Sequence, residues 1–232
     1  MIYLTNIQST IRQKLLFQVD ELFIDRGALI ALIGKNGSGK STFLKALAGL
    51  DSLVTGHIVL NDKEYMFQKN YFPSKLVSYI PVKIVPFGAI SLIDFVLSGR
   101  SGDRNFLDIP NSDEQQKVSN LLDQFNMAHM AFDSFENLSD GEQKLALIMR
   151  SVYRDADVLL LDEPESFLDV GNRKLVFEWL KKLSSQGKTI VFSTHQPDLA
   201  AQYCSVFLSI NEGKLMQNSA KDYKELIDRI FD

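Results

Sequence analysis

The chain has little cysteine: Cys204 stands alone among 232 residues, so no internal disulfide can form and a reducing, cytoplasmic setting is expected. Long apolar runs are missing too. The stretch Ala28 to Ile33 is only strand-length, far short of the ~20 residues that cross a bilayer. Met1-Ile2-Tyr3-Leu4-Thr5-Asn6 has neither the basic region nor the small-residue cleavage site of a secretory leader. Lys and Arg total 25 against 29 Asp and Glu, and no cluster of basic residues stands out. The basic stripe of a nucleic-acid binder is therefore absent, and no nucleic-acid partner is expected. Internal repeats, low-complexity tracts and sustained heptads are absent as well. What is present, at 45% hydrophobic residues, suits a globular chain with one large core or two small ones.

Apolar periodicity predicts strands at Ile2 to Thr5, Leu15 to Ile24 and Ala28 to Ile33, then a helix from Ser41 with Phe43, Leu44, Leu47 and Leu50 on one face. Short strands follow at His57 to Leu60 and in Val77-Ser78-Tyr79-Ile80-Pro81, with a turn at Asn61-Asp62 between them. From about Val82 to Asp155 the pattern turns helical, broken around Ser98 to Asn111. One helix is expected from Ser112, capped by its hydroxyl with Gln115 reaching back. Another begins at Ser139 and aligns Leu145, Ile148, Met149 and Val152. Strands at Val158 to Leu161, Thr189 to Ser193 and Ser205 to Ile210 then alternate with helices at Arg173 to Leu183, from Pro197, and over Ala220 to Ile230. Such alternation predicts an α/β fold with a mainly parallel sheet covered on both faces, whose ligands sit at the carboxyl ends of the strands.

Chemistry concentrates at those ends. Gly34-Lys35-Asn36-Gly37-Ser38-Gly39-Lys40-Ser41-Thr42 fits G-x-x-x-x-G-K-[ST] between a buried strand and a helix. The glycines let successive N–H groups turn inward toward phosphate, Lys40 reaches the β- and γ-phosphates, and Ser41 supplies a hydroxyl to Mg²⁺. The expected ligands are ATP and Mg²⁺. In Asp157-Val158-Leu159-Leu160-Leu161-Asp162-Glu163-Pro164 an apolar strand ends in two carboxylates, a costly placement unless a cation or a reacting water needs them. Asp162 suits the Mg²⁺ shell and Glu163 a general base. His195, one strand further on, is a candidate γ-phosphate contact, although a lone histidine is more often a packed or surface residue. In Leu138-Ser139-Asp140-Gly141-Glu142, Ser139 and the Gly141 N–H open a helix and can meet an anionic phosphate; a plain capping box of Ser139 with Glu142 explains the same residues. Asp169, in Ser166-Phe167-Leu168-Asp169, reads as the cap of the next helix.

Taken in order, these elements resemble an ABC transporter ATP-binding subunit over essentially the whole chain: Walker A loop, helical block, signature turn LSDGE, Walker B carboxylates, D-loop and switch histidine. The run Ile90-Ser91-Leu92-Ile93-Asp94-Phe95-Val96-Leu97-Ser98-Gly99-Arg100, with Gly102, looks most like the ATPases of iron-siderophore, haem and vitamin B12 importers. Cobalt, zinc or lipid-type transporters are the neighbouring alternatives. The resemblance implies a P-loop NTPase (RecA-like) core with an amino-terminal antiparallel β subdomain and an inserted helical subdomain. It makes residues 1–232 one domain, with the core and β subdomain in 1–81 and 156–232 and the helical subdomain in 82–155. It also implies ATP hydrolysis, with Glu163, His195 and Lys40 catalytic, that powers a separate multi-span permease, itself served by a substrate-binding protein. Two copies would form a head-to-tail dimer, each ATP lying between residues Gly34 to Thr42 of one copy and Ser139, Asp140 and Gly141 of the other. Ser166 to Asp169 would link the two sites, with Asp169 among the nucleotide-binding residues, and the chain would sit on the inner face of the cell membrane. A soluble cluster-assembly ATPase, or a nucleotide-gated module of very slow turnover, are the competing readings.

Three positions depart from the family pattern. Val82 stands where the Q-loop glutamine belongs, and Gln68 comes too early to replace it. Thr10-Ile11-Arg12 occupies the place of the adenine-stacking aromatic, so apolar or guanidinium contact is expected there instead. Asp140 replaces a glycine of the usual signature and adds negative charge near a phosphate. Valine can neither ligate Mg²⁺ nor hold the water, so slowed or re-tuned hydrolysis is expected.

Overall fold

Side chains that alternate between core and solvent make the amino-terminal strands pair: β1 (Ile2–Ile11) runs antiparallel to β2 (Lys14–Ile24), with Ile2 opposite Ile24 and Ile7 opposite Val19. The computed structural model describes residues 1–11, 14–51, 54–67, 75–83, 88–100 and 110–231. Arg12, Gln68 and Gly102, on which three of the sequence expectations rest, lie outside the described residues.

β3 (Leu29–Gly34) is buried throughout and leads through the glycine loop to α1 (Lys40–Leu47). β4 (Val54–Leu60) and β5 (Lys63–Met66) form a hairpin that turns at Asn61 and Asp62, both at positive φ (48° and 64°), a conformation Asn and Asp tolerate better than most residues. β6 (Val77–Ile80) is followed by α2 (Leu92–Leu97), α3 (Ser112–Gln124) and α4 (Asp140–Tyr153). The chain returns through β7 (Val158–Asp162), α5 (Val170–Ser185), β8 (Thr189–Ser193), α6 (Pro197–Ala200), β9 (Val206–Asn211), β10 (Lys214–Ser219) and α7 (Tyr223–Phe231).

The strands form one mixed sheet in the order β5-β4-β1-β2-β10-β9-β3-β8-β7-β6. The half from β9 to β6 is parallel; the half from β5 to β2 is antiparallel. β10 joins them, antiparallel to β9 and in register with β2 at Lys214 opposite Gln18. Both faces of β3 are dry. Ile30 and Leu32 point to a cluster with Phe43, Leu44 and Leu47 of α1, while Ala31 and Ile33 point to the cluster that holds Phe95, Ile148 and Phe177. That two-sided burial explains why β3 reads as a continuous apolar run, as parallel strands do.

Several local expectations are corrected. α3 is capped by Asn111, not Ser112: the Asn111 side chain accepts from the Glu114 N–H at 3.0 Å, and the Glu114 carboxylate accepts from the Asn111 N–H at 2.8 Å. Asparagine caps as well as serine, so the box closes one residue earlier and Gln115 takes no part in it. Leu50 lies past the end of α1 and is exposed. β5 and β10 were not expected; their alternation is weak and their pairing with β4 and β9 creates them. At Gly99, just beyond α2, a Cβ would come 2.3 Å from the Arg150 carbonyl oxygen, so glycine lets α2 close onto α4. No helix among the described residues is long and apolar enough to cross a membrane.

Candidate functional site

The glycine loop leaves the carboxyl end of β3 and enters α1 at Gly39, whose φ of 105° suits glycine and leaves α1 without a side-chain cap. Gly37 (φ 75°) likewise takes a left-handed turn. Lys35, Asn36 and Gly37 are exposed, Ser38, Ser41 and Thr42 half-buried, and Lys40 buried. The Lys40 ammonium folds back into the loop and donates to the carbonyl oxygens of Gly34 (2.8 Å) and Lys35 (3.3 Å). Burial lowers its pKa, and the charges of Glu163 and Asp162 oppose that shift. Lys40 is thus the cation of a site that also holds both carboxylates. A phosphate would find uncapped N–H groups, this ammonium, and the buried Ser38 hydroxyl oxygen, which has no hydrogen-bond partner among the described residues. These donors fit a nucleotide triphosphate.

β7 carries Asp162 to the edge of the loop, buried, with its carboxylate held from both sides. The Ser193 hydroxyl of β8 donates to one oxygen at 2.5 Å and the Tyr79 hydroxyl of β6 to the other at 3.3 Å. The register sets this up, since Asp162 pairs with Ser193 across β7 and β8. Burial first, and then Asp162, push the Tyr79 phenol well above its ordinary pKa, so it serves as a donor. With the Ser41 hydroxyl, the Asp162 carboxylate gives an all-oxygen donor set, which suits a hard cation such as Mg²⁺ that shares phosphate and water ligands.

Glu163 turns off the strand at φ 47°, a left-handed conformation that costs a non-glycine residue of order 1–3 kcal/mol and marks functional sites. Its N–H donates to the Ser193 hydroxyl oxygen at 3.0 Å, its Oε2 accepts from the Ser166 hydroxyl at 2.9 Å, and its Oε1 lies 3.0 Å from His195 Nε2. The general-base candidate Glu163 and the candidate phosphate contact His195, 32 residues apart in sequence by their numbers, therefore touch.

The signature turn lies elsewhere on the surface. Ser139 caps α4 in a complete capping box: its Oγ accepts from the Glu142 N–H and donates to the Glu142 carboxylate at 2.7 Å, while its own N–H donates to that carboxylate at 2.8 Å. Ser139 and Asp140 are exposed, and no hydrogen bond or ion pair among the described residues joins them to the glycine loop of the same chain. Gly141 instead packs on the segment after the carboxylates: a Cβ there would lie 2.8 Å from the Phe167 carbonyl oxygen. Asp169 caps α5, accepting from the Asn172 N–H at 2.7 Å.

Two buried charges beside the carboxylates, Lys144 and Glu165, escaped the sequence reading. Lys144, on α4, is fully buried and donates to the carbonyl oxygens of Pro81 (2.9 Å) and Asp162 (3.1 Å). Burial lowers its pKa to about 8 against the opposing pull of Asp162, Glu165 and Glu163. Glu165 is buried two residues after Glu163, and desolvation raises its pKa. The faint signal was a lysine one residue ahead of the apolar stripe of α4, at i−4 from Ile148, where it shares that residue's buried face.

The sequence profile of the family described as ABC transporter matches residues 17–166. A molybdate import ATP-binding protein of Haemophilus influenzae is 35% identical over 201 residues, spanning 86% of this chain and 74% of that protein. An iron chelatin transport ATP-binding protein of Helicobacter pylori is 29% identical over 213 residues, 90% of this chain and 83% of that protein. Among solved structures, a metal-chelate type ABC transporter in an inward-facing conformation superposes with a TM-score of 0.82 at 29% identity, covering 99% of this chain and 88% of that one.

Proposed function

The chain belongs to the ABC transporter family as its ATP-binding, ATP-hydrolysing subunit, and from that premise we propose that it powers import of a chelated metal, of the iron-siderophore type, through a separate membrane permease. The observation that carries the mechanism is the contact of Glu163 with His195 at the carboxyl ends of β7 and β8, beside the buried Lys40. The substrate class is supported by the iron chelatin transport relative and the metal-chelate type neighbour. A soluble cluster-assembly role has no support among these relatives.

In this reading Lys40 leaves the carbonyl oxygens of Gly34 and Lys35 for the β- and γ-phosphate oxygens, and the N–H groups of residues Gly34 to Thr42 wrap the phosphates. Mg²⁺, held by Ser41 and through water by Asp162, would neutralise charge on the β- and γ-phosphate oxygens. Glu163 polarises the attacking water and takes its proton as the new P–O bond forms and the bond to the β-phosphate bridging oxygen breaks, which yields ADP and phosphate. His195 Nε2, freed from Glu163, donates to the γ-phosphate. ABC ATPases work as dimers with permease partners. We assign the exposed Ser139 and Asp140, with the half-buried Gly141, to the ATP of a second copy, with the Ser139 hydroxyl exchanging Glu142 for a phosphate oxygen and Asp169 holding the segment that joins the sites. The helical block of residues 82–155 then faces the permease, the core of 1–81 and 156–232 binds nucleotide, and the chain rests on the inner membrane face. A substrate-binding protein delivers the chelate to the permease.

Pull-down of the chain from membranes of its native cells, with a multi-span protein as co-purifying partner and Mg-ATP-dependent phosphate release in the isolated complex, tests this. Recovery with a soluble scaffold alone would overturn it. Val82 gives a finer test. Restoring a water-holding amide adds one hydrogen bond of about 0.5–1.5 kcal/mol, so Val82→Gln is expected to change steady-state phosphate release by roughly 2- to 10-fold with ATP affinity nearly unchanged. Equal rates and equal Mg²⁺ dependence would remove Val82 as a determinant of turnover.

A further inference from the structure

Lys144 and Glu165 take no part in the steps above, yet both are buried beside the groups that do, where an uncompensated charge is costly. Lys144 joins two strand ends. One acceptor is the carbonyl oxygen of Pro81, the residue before Val82; the other is that of Asp162, the residue before Glu163. Glu165 reaches the opposite side: its Oε1 accepts from the Thr194 hydroxyl, its carboxylate accepts from the His195 backbone N–H, and its Oε2 has no partner among the described residues. The Thr194 hydroxyl in turn accepts from the Gln196 N–H at 2.9 Å. No hydrogen bond or ion pair among the described residues joins Lys144 to Glu165, but Lys144 feels the charges of Asp162, Glu165 and Glu163, and Glu165 that of Glu163.

We infer that Lys144 and Glu165 are a buried, charge-compensating pair of positioning residues, Lys144 tying the signature helix to the end of β7 just before Glu163 and Glu165 setting the backbone at His195. The pair brackets the hydrolytic dyad: one member holds the residue before Glu163 and the other holds the residues that carry the histidine. Lys144 also anchors the chain entering Val82, so the signature helix reaches the backbone at Asp162 through an ammonium where a side-chain amide at position 82 is lacking. Neither group touches the substrate in this scheme. The inference rests on the reading of Glu163 and His195 as the groups that act on ATP.

Kinetic and binding measurements on Lys144→Met, Glu165→Gln and the neutral double variant Lys144→Gln/Glu165→Gln test it, in parallel with thermal unfolding. Each single variant is expected to lose about tenfold or more in kcat for phosphate release, the equivalent of one misplaced hydrogen bond to a charged group. Binding of a non-hydrolysable ATP analogue should stay within about twofold, a kcat-against-affinity split that a merely structural role would not produce. The double variant removes both charges while keeping amide groups for the same partners, so it should recover to within about threefold of the parent rate. Single variants with the parent kcat per folded molecule would overturn the pair. So would a double variant no faster than Glu165→Gln alone, a comparison that stands even if Lys144→Met does not fold. A parent chain that binds nucleotide and releases no phosphate would overturn the hydrolytic reading itself, and the positioning role with it.

Discussion

Glu163→Gln is expected to lower ATP turnover by about 10²- to 10⁴-fold, the usual contribution of a positioned general base, while nucleotide still binds. The amide keeps the size and shape of the side chain but cannot take a proton from water. Its neighbours tolerate the exchange: the Ser166 hydroxyl donates to the present carboxylate at 2.9 Å and can donate to an amide oxygen, and the backbone turn at φ 47° is unaffected by a change of terminal atoms. Because the phosphate-binding parts are intact, bound ATP should persist and hold two copies together. Size-exclusion chromatography of the variant with and without Mg-ATP should show a shift from monomer to dimer, and single-turnover phosphate release should show the lost rate. A variant that stays monomeric with Mg-ATP would overturn the assignment of Ser139, Asp140 and Gly141 to a partner's nucleotide. One that turns over at the parent rate would remove Glu163 as the base.

Lys40→Met is expected to abolish function one step earlier, at binding. Each hydrogen bond from the ammonium to a phosphate is charge-assisted and worth about 1.5–3 kcal/mol, so losing even one weakens ATP by roughly 10- to 150-fold, and losing both weakens it further. The fold should not suffer. In the structure the Lys40 ammonium is buried and lowered in pKa by desolvation, with the Gly34 and Lys35 carbonyl oxygens as its hydrogen-bond partners among the described residues, so methionine removes a buried charge together with its bonds. Titration of a fluorescent ATP analogue should show the loss of affinity, and thermal unfolding without nucleotide should show a midpoint close to the parent's. Unchanged affinity would overturn the assignment of Lys40 to the phosphates. A collapse of stability would mean that the lysine is needed to build the loop rather than to bind.

Much of the site was legible because its parts are contiguous. The glycine loop, the apolar strand ending in Asp162-Glu163, and the Ser139 and Asp169 caps are each dictated by neighbours within a few residues, through backbone sterics, strand burial and capping hydrogen bonds. The cap of α3 shows the limit of such reading, since Asn111 and Ser112 are adjacent caps of similar strength and the choice fell to the earlier residue. Tyr79 and Ser193 could not be paired with Asp162 from their positions in the chain, nor could Glu165 be matched with Thr194. Those bonds depend on which strands lie side by side.

The sequence by itself therefore determined the glycine loop, the carboxylate pair and the family, because each is written in short stretches whose chemistry does not wait for the rest of the chain. Tertiary structure alone decided the mixed order of the sheet, the Tyr79 and Ser193 hydroxyls on Asp162, the contact of Glu163 with His195, and the burial of Lys144 behind them. Parallel strands that are neighbours in space are separated in sequence by whole helices, and their register carries side chains to the same end of the sheet. A lysine on a helix looks solvated until the packing of that helix against β6 leaves its ammonium, among the described residues, the carbonyl oxygens of Pro81 and Asp162 to bind.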